Sequence, residues 1–433
     1  MIATLVIALS TFILLIASIL FFPSIKIKGI KIDLYWIISL IGAIILLCSS
    51  LSPINEVYNQ LTSSSAINPL KILVLFFSMT LISVFLDEFG LFRYLAVIAS
   101  KKAKGSQYSL FFILYFLTAI LTIFTSNDVV ILTLTPFICF FCKNSKINPL
   151  PYLIAEFVAA NTWSTMFIIG NPTNIYLATS AGITFISYFK VMIVPTIVGG
   201  LVELAILFLL FRKKLKDPII ATETTYVIES KIDLIVGLLI LGVCLVFLVI
   251  SSYINVEMWL VSCISAGALI LFTLITRIVT KRHWNYMSDS FKRLPYQLIP
   301  FFLSMFVIVV ALNYQGISEK IGLVLNNDNA LWAYGYSSLF VCNLINNIPM
   351  SILYANIPNG LSSIEYYRAI YATIIGSNIG AFLTPIGALA GIMFSGLLHK
   401  YEVKFSFLDF IKYGAIIALP TISIELLMLF VMI

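Results

Sequence analysis

Long apolar runs separated by short polar stretches dominate this chain. The apolar segments fall near residues 2–22, 34–51, 70–86, 108–142, 152–180, 190–211, 233–252, 257–276, 297–312, 331–357, 366–398 and 408–432. Most are close to the ~20 residues a helix needs to cross a bilayer, so the pattern predicts an all-α polytopic membrane protein. The longest segments are themselves interrupted. Residues 125–136 read Thr-Ser-Asn-Asp-Val-Val-Ile-Leu-Thr-Leu-Thr-Pro, and residues 343–353 read Asn-Leu-Ile-Asn-Asn-Ile-Pro-Met-Ser-Ile-Leu. About thirty residues after each comes a second break: Asn161 with Gly170-Asn171-Pro172-Thr173-Asn174, then Asn378 with Thr384-Pro385-Ile386-Gly387. Amides, hydroxyls, Gly and Pro in a membrane helix free backbone groups that lipid cannot satisfy. Paired breaks in corresponding positions of two halves are the sequence mark of a secondary transporter's binding site.

Arm length separates two kinds of break. In 108–142 the arms hold about 17 and 14 residues, which at 1.5 Å per residue reach only about 25 and 21 Å, short of a hydrocarbon core of about 30 Å. This predicts a re-entrant helical hairpin with its tip at Thr125–Asp128. The segment 331–357 reads the same way, with its tip at Asn346-Asn347. The segments 152–180 and 366–398 are longer, and are expected to cross as broken transmembrane helices.

Charge supports the hairpins independently. Of the 26 Lys and Arg residues, 21 lie in six loops within 26–31 (with Lys28), 93–104, 143–146, 212–231, 277–293 (with Lys281 and Arg282) and 400–404. The loops 52–69, 181–189 and 253–256 have none. Basic loops stay in the cytoplasm. All six fall on one side only if both hairpins return to the side they entered. Both termini are then outside, the first hairpin enters from the cytoplasm and the second from outside. That is an inverted repeat: 1–211, a cytoplasmic linker 212–232, and 233–433. Leu86-Asp87-Glu88-Phe89-Gly90-Leu91 parallels Leu312-Asn313-Tyr314-Gln315-Gly316-Ile317, and Asn161 to Gly170 has the same spacing as Asn378 to Gly387.

Composition narrows the class. The chain is 61% hydrophobic and 10% charged, against roughly 25% charged in soluble domains. The net charge of +7 sits in short loops and does not suggest nucleic acid. Segment 2–22 is too long for a signal-peptide core and is expected to remain as a helix. The six cysteines lie in apolar stretches, so no disulfide framework is implied. No P-loop pattern occurs, and no His-Glu-x-x-His or Ser/Lys arrangement suggests an intramembrane enzyme. His283 and His399 have no partner pattern, and no metal or cofactor is expected.

The breaks hold the candidate chemistry. Asn127, Asn161, Asn171, Asn174, Asn346, Asn347 and Asn378 supply amides, and Thr125, Thr173 and Thr384 supply hydroxyls. Amides both donate and accept, and a helix that ends mid-membrane adds unpaired backbone groups and about half a unit charge of dipole. Such a site can hold a small polar solute or replace the water around a cation. Capping and kinking the helices is the alternative role for each Asn. Asp128 stands apart. A carboxylate at the bilayer centre costs about 2.5–3.5 kcal/mol on insertion scales, and burial disfavours its charge, which makes it a candidate proton carrier. Its counterpart is Ile348, so a single coupling carboxylate is expected; a helix N-cap is compatible with that role. Glu156 could reach the site, while Glu203 and Glu425 are read toward span ends. Asp87-Glu88 ends the third span, with Arg93 as a candidate partner. Cys139-x-x-Cys142 places two thiols on one face of the first hairpin, where packing is the simpler reading and metalloid binding the sharper one.

These residues also carry a likeness. The chain resembles, nearly end to end, the arsenite/antimonite permease family of the ion transporter superfamily, which includes citrate and dicarboxylate carriers. The likeness rests on Leu86-Asp87-Glu88-x-Gly90, Asn127-Asp128 with Leu132-Thr-x-Thr-Pro136, Leu294-Pro-Tyr-Gln-Leu298, Asn346-Asn347-Ile-Pro349 and Gly376-x-Asn378-Ile-Gly-x-x-Leu-Thr-Pro-Ile-Gly-x-Leu-Ala390. Dicarboxylate carriers would have Ser-Asn-Thr at both tips; Asn127-Asp128 and Asn346-Asn347 favour the permease branch. Gly170-Asn171-Pro172 departs from the Ser-Asn-Leu-type sequence of arsenite permeases, and Asn378 stands where some have Asp. The resemblance implies proton-coupled efflux of arsenite and antimonite across the cell (plasma or inner) membrane. A cytoplasmic ATPase partner is recruited by some permeases, and a homodimer is compatible with the chain. Alternatives are a sodium- or proton-coupled anion carrier, a sodium/proton antiporter, or a channel.

Overall fold

The structure is a computed structural model that describes residues 1–22, 24–27, 30–63, 68–219, 228, 230–280 and 286–433. Lys28, Lys281, Arg282, His283 and residues 220–227 and 229 of the expected linker lie outside the described residues.

Hydroxyl and amide caps, Pro and Gly punctuate the apolar runs where the sequence pattern breaks. The first half contains α1 (Ile2–Phe21), α2 (Leu34–Cys48), a short α3 (Ile54–Thr62), α4 (Pro69–Glu88), α5 (Leu91–Lys102), α6 (Gln107–Phe124), α7 (Asn127–Asn144), α8 (Leu150–Trp163), a 3-10 turn at Ile168–Gly170, α9 (Pro172–Ser180) and α10 (Phe185–Phe211). The second contains α11 (Lys231–Ile250), α12 (Met258–Thr280), α13 (Tyr286–Arg293), α14 (Leu298–Tyr314), α15 (Ile317–Leu325), α16 (Ala330–Ile345), α17 (Asn347–Tyr354), α18 (Ser363–Gly380), α19 (Leu389–Lys400) and α20 (Phe407–Met432). Among the described residues, eight helices are long and apolar enough to cross a membrane. α2 and α16 are shorter apolar helices. The chain is a polytopic helical membrane protein.

Two details differ from the sequence reading. Ser24–Ile27 and Ile30–Asp33 form an antiparallel ribbon with Ser24 opposite Asp33; the alternating Ile-Lys-Ile and Ile-Lys-Ile around Lys28-Gly29 has the period of a strand. The second arm of the first hairpin is longer than expected: α7 runs from Asn127 to Asn144, 18 residues with Pro136 inside it, and so includes the end of the tip and two residues beyond 142.

Matched in order, α1–α10 and α11–α20 make corresponding contacts. α2 packs on α14 and α12 on α4, α6 on α8 and α16 on α18, α7 on α19 and α17 on α9, while α10 packs on α20. Gly90 and Gly316 occupy equivalent places after α4 and α14, with φ of 89° and 69°. Both turns need the left-handed conformation that glycine takes without strain. A charge cluster ties the halves together: Arg293 donates to Asp87 and to Glu88, each at 2.5 Å. Thr133 of α7 donates to the same Asp87 oxygen at 2.8 Å. The expected partner Arg93 is exposed and does not fill this place. Arg293 comes from the other half, a pairing that sequence proximity could not suggest.

Small residues let the helices close. A Cβ on Gly376 of α18 would collide with Gly335 O and Ser338 Oγ of α16, the close approach typical of membrane helix pairs. Gly376→Ala should therefore lower the thermal stability of the purified protein in detergent by roughly 1–3 kcal/mol, the usual cost of overpacking. Gly396→Ala, whose Cβ meets nothing within 4 Å, should leave it unchanged. Equal melting temperatures for the two variants would contradict this packing.

Candidate functional site

The first tip is built by a helix stop and an immediate restart. Thr125 ends α6, its hydroxyl donating back to Leu121 O at 2.6 Å. Ser126 is extended, and α7 begins at Asn127. Asn127 Oδ1 accepts from the Asp128 backbone N–H at 2.9 Å, and its Nδ2 donates to Asn161 Oδ1 at 3.3 Å. Asn161 donates in turn to Phe157 O at 2.8 Å, inside α8. The tip thus rests on the last turn of α8. The Asp128 carboxylate has no hydrogen-bond partner among the described residues and retains 7% of its exposure.

The two broken helices meet at Asn378. Its Oδ1 accepts from Ser164 and from Asn171 Nδ2, both at 2.9 Å. Its Nδ2 donates to Asn174 Oδ1 at 2.7 Å and to Ile374 O at 2.8 Å. Asn174 donates to Ser164 O at 2.9 Å, closing the break in the first helix. Ser377 donates to Thr173 Oγ1 at 3.0 Å, and Thr173 donates to Asn171 Oδ1 at 3.1 Å. α9 restarts at Pro172, where a missing N–H costs nothing.

The second tip leans on the second break. Asn346 takes φ 72° and ψ 152°, an unusual backbone state for a residue with a side chain. Its Nδ2 donates to Ile386 O at 3.0 Å and its Oδ1 accepts from Ile348 N at 3.3 Å. The Asn347 N–H donates to Gly387 O at 3.0 Å. Thr384 donates to Asn343 Oδ1 at 2.6 Å, and Asn343 donates to Gly380 O at 2.9 Å. The Asn347 side-chain amide is buried and has no hydrogen-bond partner among the described residues.

Counting donors and acceptors sorts the ten predicted binding residues. All four positions of Asn378 are filled by protein, so in this conformation it is a latch between the broken helices. Thr125 donates within its own turn, Asn174 is held by Ser164, Phe167 and Asn378, and Asn346 bonds Ile348 and Ile386. Open capacity is largest at Asp128 and Asn347; Asn127, Asn161 and Asn346 each keep one donor and one acceptor position, and Asn171 one donor. Every predicted residue falls at a tip or a break, and all but Thr125 join one of two hydrogen-bonded groups. Ser164, Ser377 and Asn343 belong to these groups and were not singled out by sequence. The signal was there for Ser164 and Asn343, polar residues one turn from Asn161 and Asn346. Four helices, α7, α9, α17 and α19, begin at these interruptions, so four positive dipole ends lie there.

The other acids are used elsewhere. Glu156 accepts from Thr135 at 2.9 Å and does not join the tips. Glu203 and Glu425 lie in the last third of α10 and α20, and both are fully buried. Cys139 and Cys142 are buried in α7, and no group of three metal-ligating side chains occurs among the described residues. A separate open cleft is lined by Lys71, Thr179, Thr184, Glu257 and Trp259 and includes none of the predicted residues.

Known proteins agree with this architecture. The citrate transporter family model matches residues 30–369. The arsenical pump membrane protein of Escherichia coli K12 is 29% identical over 367 residues, 81% of this chain and 84% of the relative. Another Escherichia coli arsenical pump membrane protein is 26% identical over 440 residues, 96% of each chain. The crystal structure of the YdaH transporter of Alcanivorax borkumensis, described as having an unusual topology, covers 99% of this chain and 97% of its own, with a TM-score of 0.52 and 14% identity; the fold is shared. With a family model across most of its length and transporters as its relatives, the chain belongs to the citrate transporter family and is a membrane transporter, not an enzyme.

Proposed function

We propose that this protein is a secondary active transporter that exports arsenite and antimonite as neutral hydroxides in exchange for protons. The observation that carries the reading is the chemistry left open at the tips. Asp128 and the Asn347 amide lack protein partners, and no fully buried Lys or Arg accompanies them among the described residues. A polyhydroxy solute without charge is matched by amides and hydroxyls. A multiply charged carboxylate substrate would need cationic compensation. The relatives named arsenical pump membrane protein support the substrate class. Asp128 releases its proton toward one face and reloads from the other. The solute sits between Asn127, Asn347 and the breaks at Asn161–Asn174 and Asn378–Gly387.

In this reading the halves 1–211 and 233–433 are inverted repeats with oppositely inserted hairpins, in the cell membrane with both termini outside. The matched contacts of α1–α10 and α11–α20 support the repeat, and the basic loops support the orientation. Alternating access follows from movement of the hairpin-containing parts against the first spans of each half. A second reading, transport of an anion, is favoured by the four helix N-termini at the breaks and by the citrate transporter family model.

Expression in an arsenite-sensitive strain without its own efflux pump separates the two. Restored resistance with lowered cellular arsenic is expected; no effect, together with citrate or dicarboxylate uptake, would favour the anion reading. In everted vesicles, Asp128→Asn should abolish the dependence of arsenite uptake on a proton gradient, and unchanged coupling would remove Asp128 from that role. Asn347→Ala should weaken arsenite transport at least tenfold without changing the melting temperature, whereas Asn378→Ala should lower both. Cysteine labelling of either terminus should succeed from outside intact cells; labelling only after permeabilisation would reverse the orientation.

A further inference from the structure

Two buried glutamates, Glu203 of α10 and Glu425 of α20, lie in the seam where the last helices of the two halves pack. Thr184 caps α10 and Ser406 caps α20, each through its side-chain oxygen. Glu203 and Glu425 lie equally far beyond those caps. Both are 0% exposed. Gly199 makes this seam: a Cβ there would stand 2.7 Å from Glu425 Cδ. The Glu425 side chain is therefore packed directly on the α10 backbone.

Hydrogen-bond geometry around Glu203 specifies a proton. Tyr115 Oη of α6 lies 2.6 Å from Glu203 Oε1 and 2.5 Å from Gly200 O. It also accepts from Trp163 Nε1 of α8 at 3.0 Å. A phenol has one proton, and the Gly200 carbonyl can only accept. One of the two short oxygen–oxygen contacts is unbonded unless Glu203 carries a proton and donates it to Tyr115. The other Glu203 oxygen accepts from Thr162 of α8. Glu425 is starker, because neither of its carboxyl oxygens has a hydrogen-bond partner among the described residues. The titratable groups facing the pair are Tyr115, Tyr188 of α10 and, beyond it, Tyr371 of α18. No fully buried Lys or Arg among the described residues supplies a countercharge. Two uncompensated carboxylates in an apolar seam would be prohibitively costly, so the pair calls for a cation. The backbone contact at Gly199 favours one that needs no coordination shell.

We propose that Glu203 and Glu425 form a proton-binding site in the membrane core, separate from Asp128, with a proton on each carboxyl in this conformation. Protonation is simple addition of H⁺ from water to each carboxylate. Thr162 and Trp163 join the site to the end of α8, next to Asn161, on which the first hairpin tip rests. The site's occupancy thereby reports the position of α8. The proposal requires the α10–α20 seam and does not depend on the substrate being arsenite.

Infrared spectroscopy of the purified full chain in lipid nanodiscs at neutral pH tests it. At least two protonated-carboxyl C=O bands are expected that shift on ¹³C-glutamate labelling, not on ¹³C-aspartate labelling, and that persist in Glu156→Gln, whose buried carboxyl is the third candidate. Glu203→Gln and Glu425→Gln should each remove one, and Asp128→Asn neither. Thr162→Val should shift the Glu203 band and spare the other. The labelled wild-type protein decides the matter even if a variant fails to fold: no glutamate C=O band at neutral pH would overturn the proposal. Loss of the bands on adding sodium at constant pH would make the site a metal-cation site and overturn it equally.

Discussion

The structure depends on satisfying helix ends that stop where lipid offers no hydrogen bonds. Each interruption frees N–H and C=O groups that must find partners inside the protein. The Asn378 junction is the central answer. One amide joins Ser164, Asn171, Asn174 and its own helix, so the two broken helices complete one another. The tips obey the same rule on a smaller scale, Asn127 closing on Asn161 and Asn346 on Ile386. Once these bonds are made, little polar capacity is left, and the proposed function rests on what remains.

The same constraint sets the cost of charge. Asp87 and Glu88 are held by Arg293 from the other half, and Glu156 by Thr135. Asp128 has no such partner, only the N-terminal dipole of α7 beside it. In the proposed function this uncompensated carboxylate is the group that gains and loses the proton. Glu203 and Glu425 meet the same problem by another route, in a seam too closely packed for bulk water. The two halves thus treat their hairpin tips differently and their final helices alike.

Much of the fold was legible along the chain. The apolar runs mark helix positions to within a few residues, and the polar interruptions fall at Thr125-Ser126, Asn346 and the breaks after Trp163 and Gly380. The ribbon at Ser24–Asp33 was visible as an alternation but was read as a basic loop. The predicted site residues do gather at the tips and breaks. Which of them remain open was not legible, because Asn171 and Asn378 are separated by 207 residues and their bond exists only once the helices cross.

The sequence by itself determined the membrane-spanning pattern, the doubled interruptions, the uneven tips and the family. These rest on local hydropathy and on the chemistry of single residues, which each segment carries with it. Only the tertiary structure decided that Asn378 is a latch, that Arg293 and not Arg93 neutralises Asp87-Glu88, and that Glu203 and Glu425 are buried in one seam. Hydrogen-bond saturation and charge compensation are properties of pairs, and the partners here come from opposite halves of the chain.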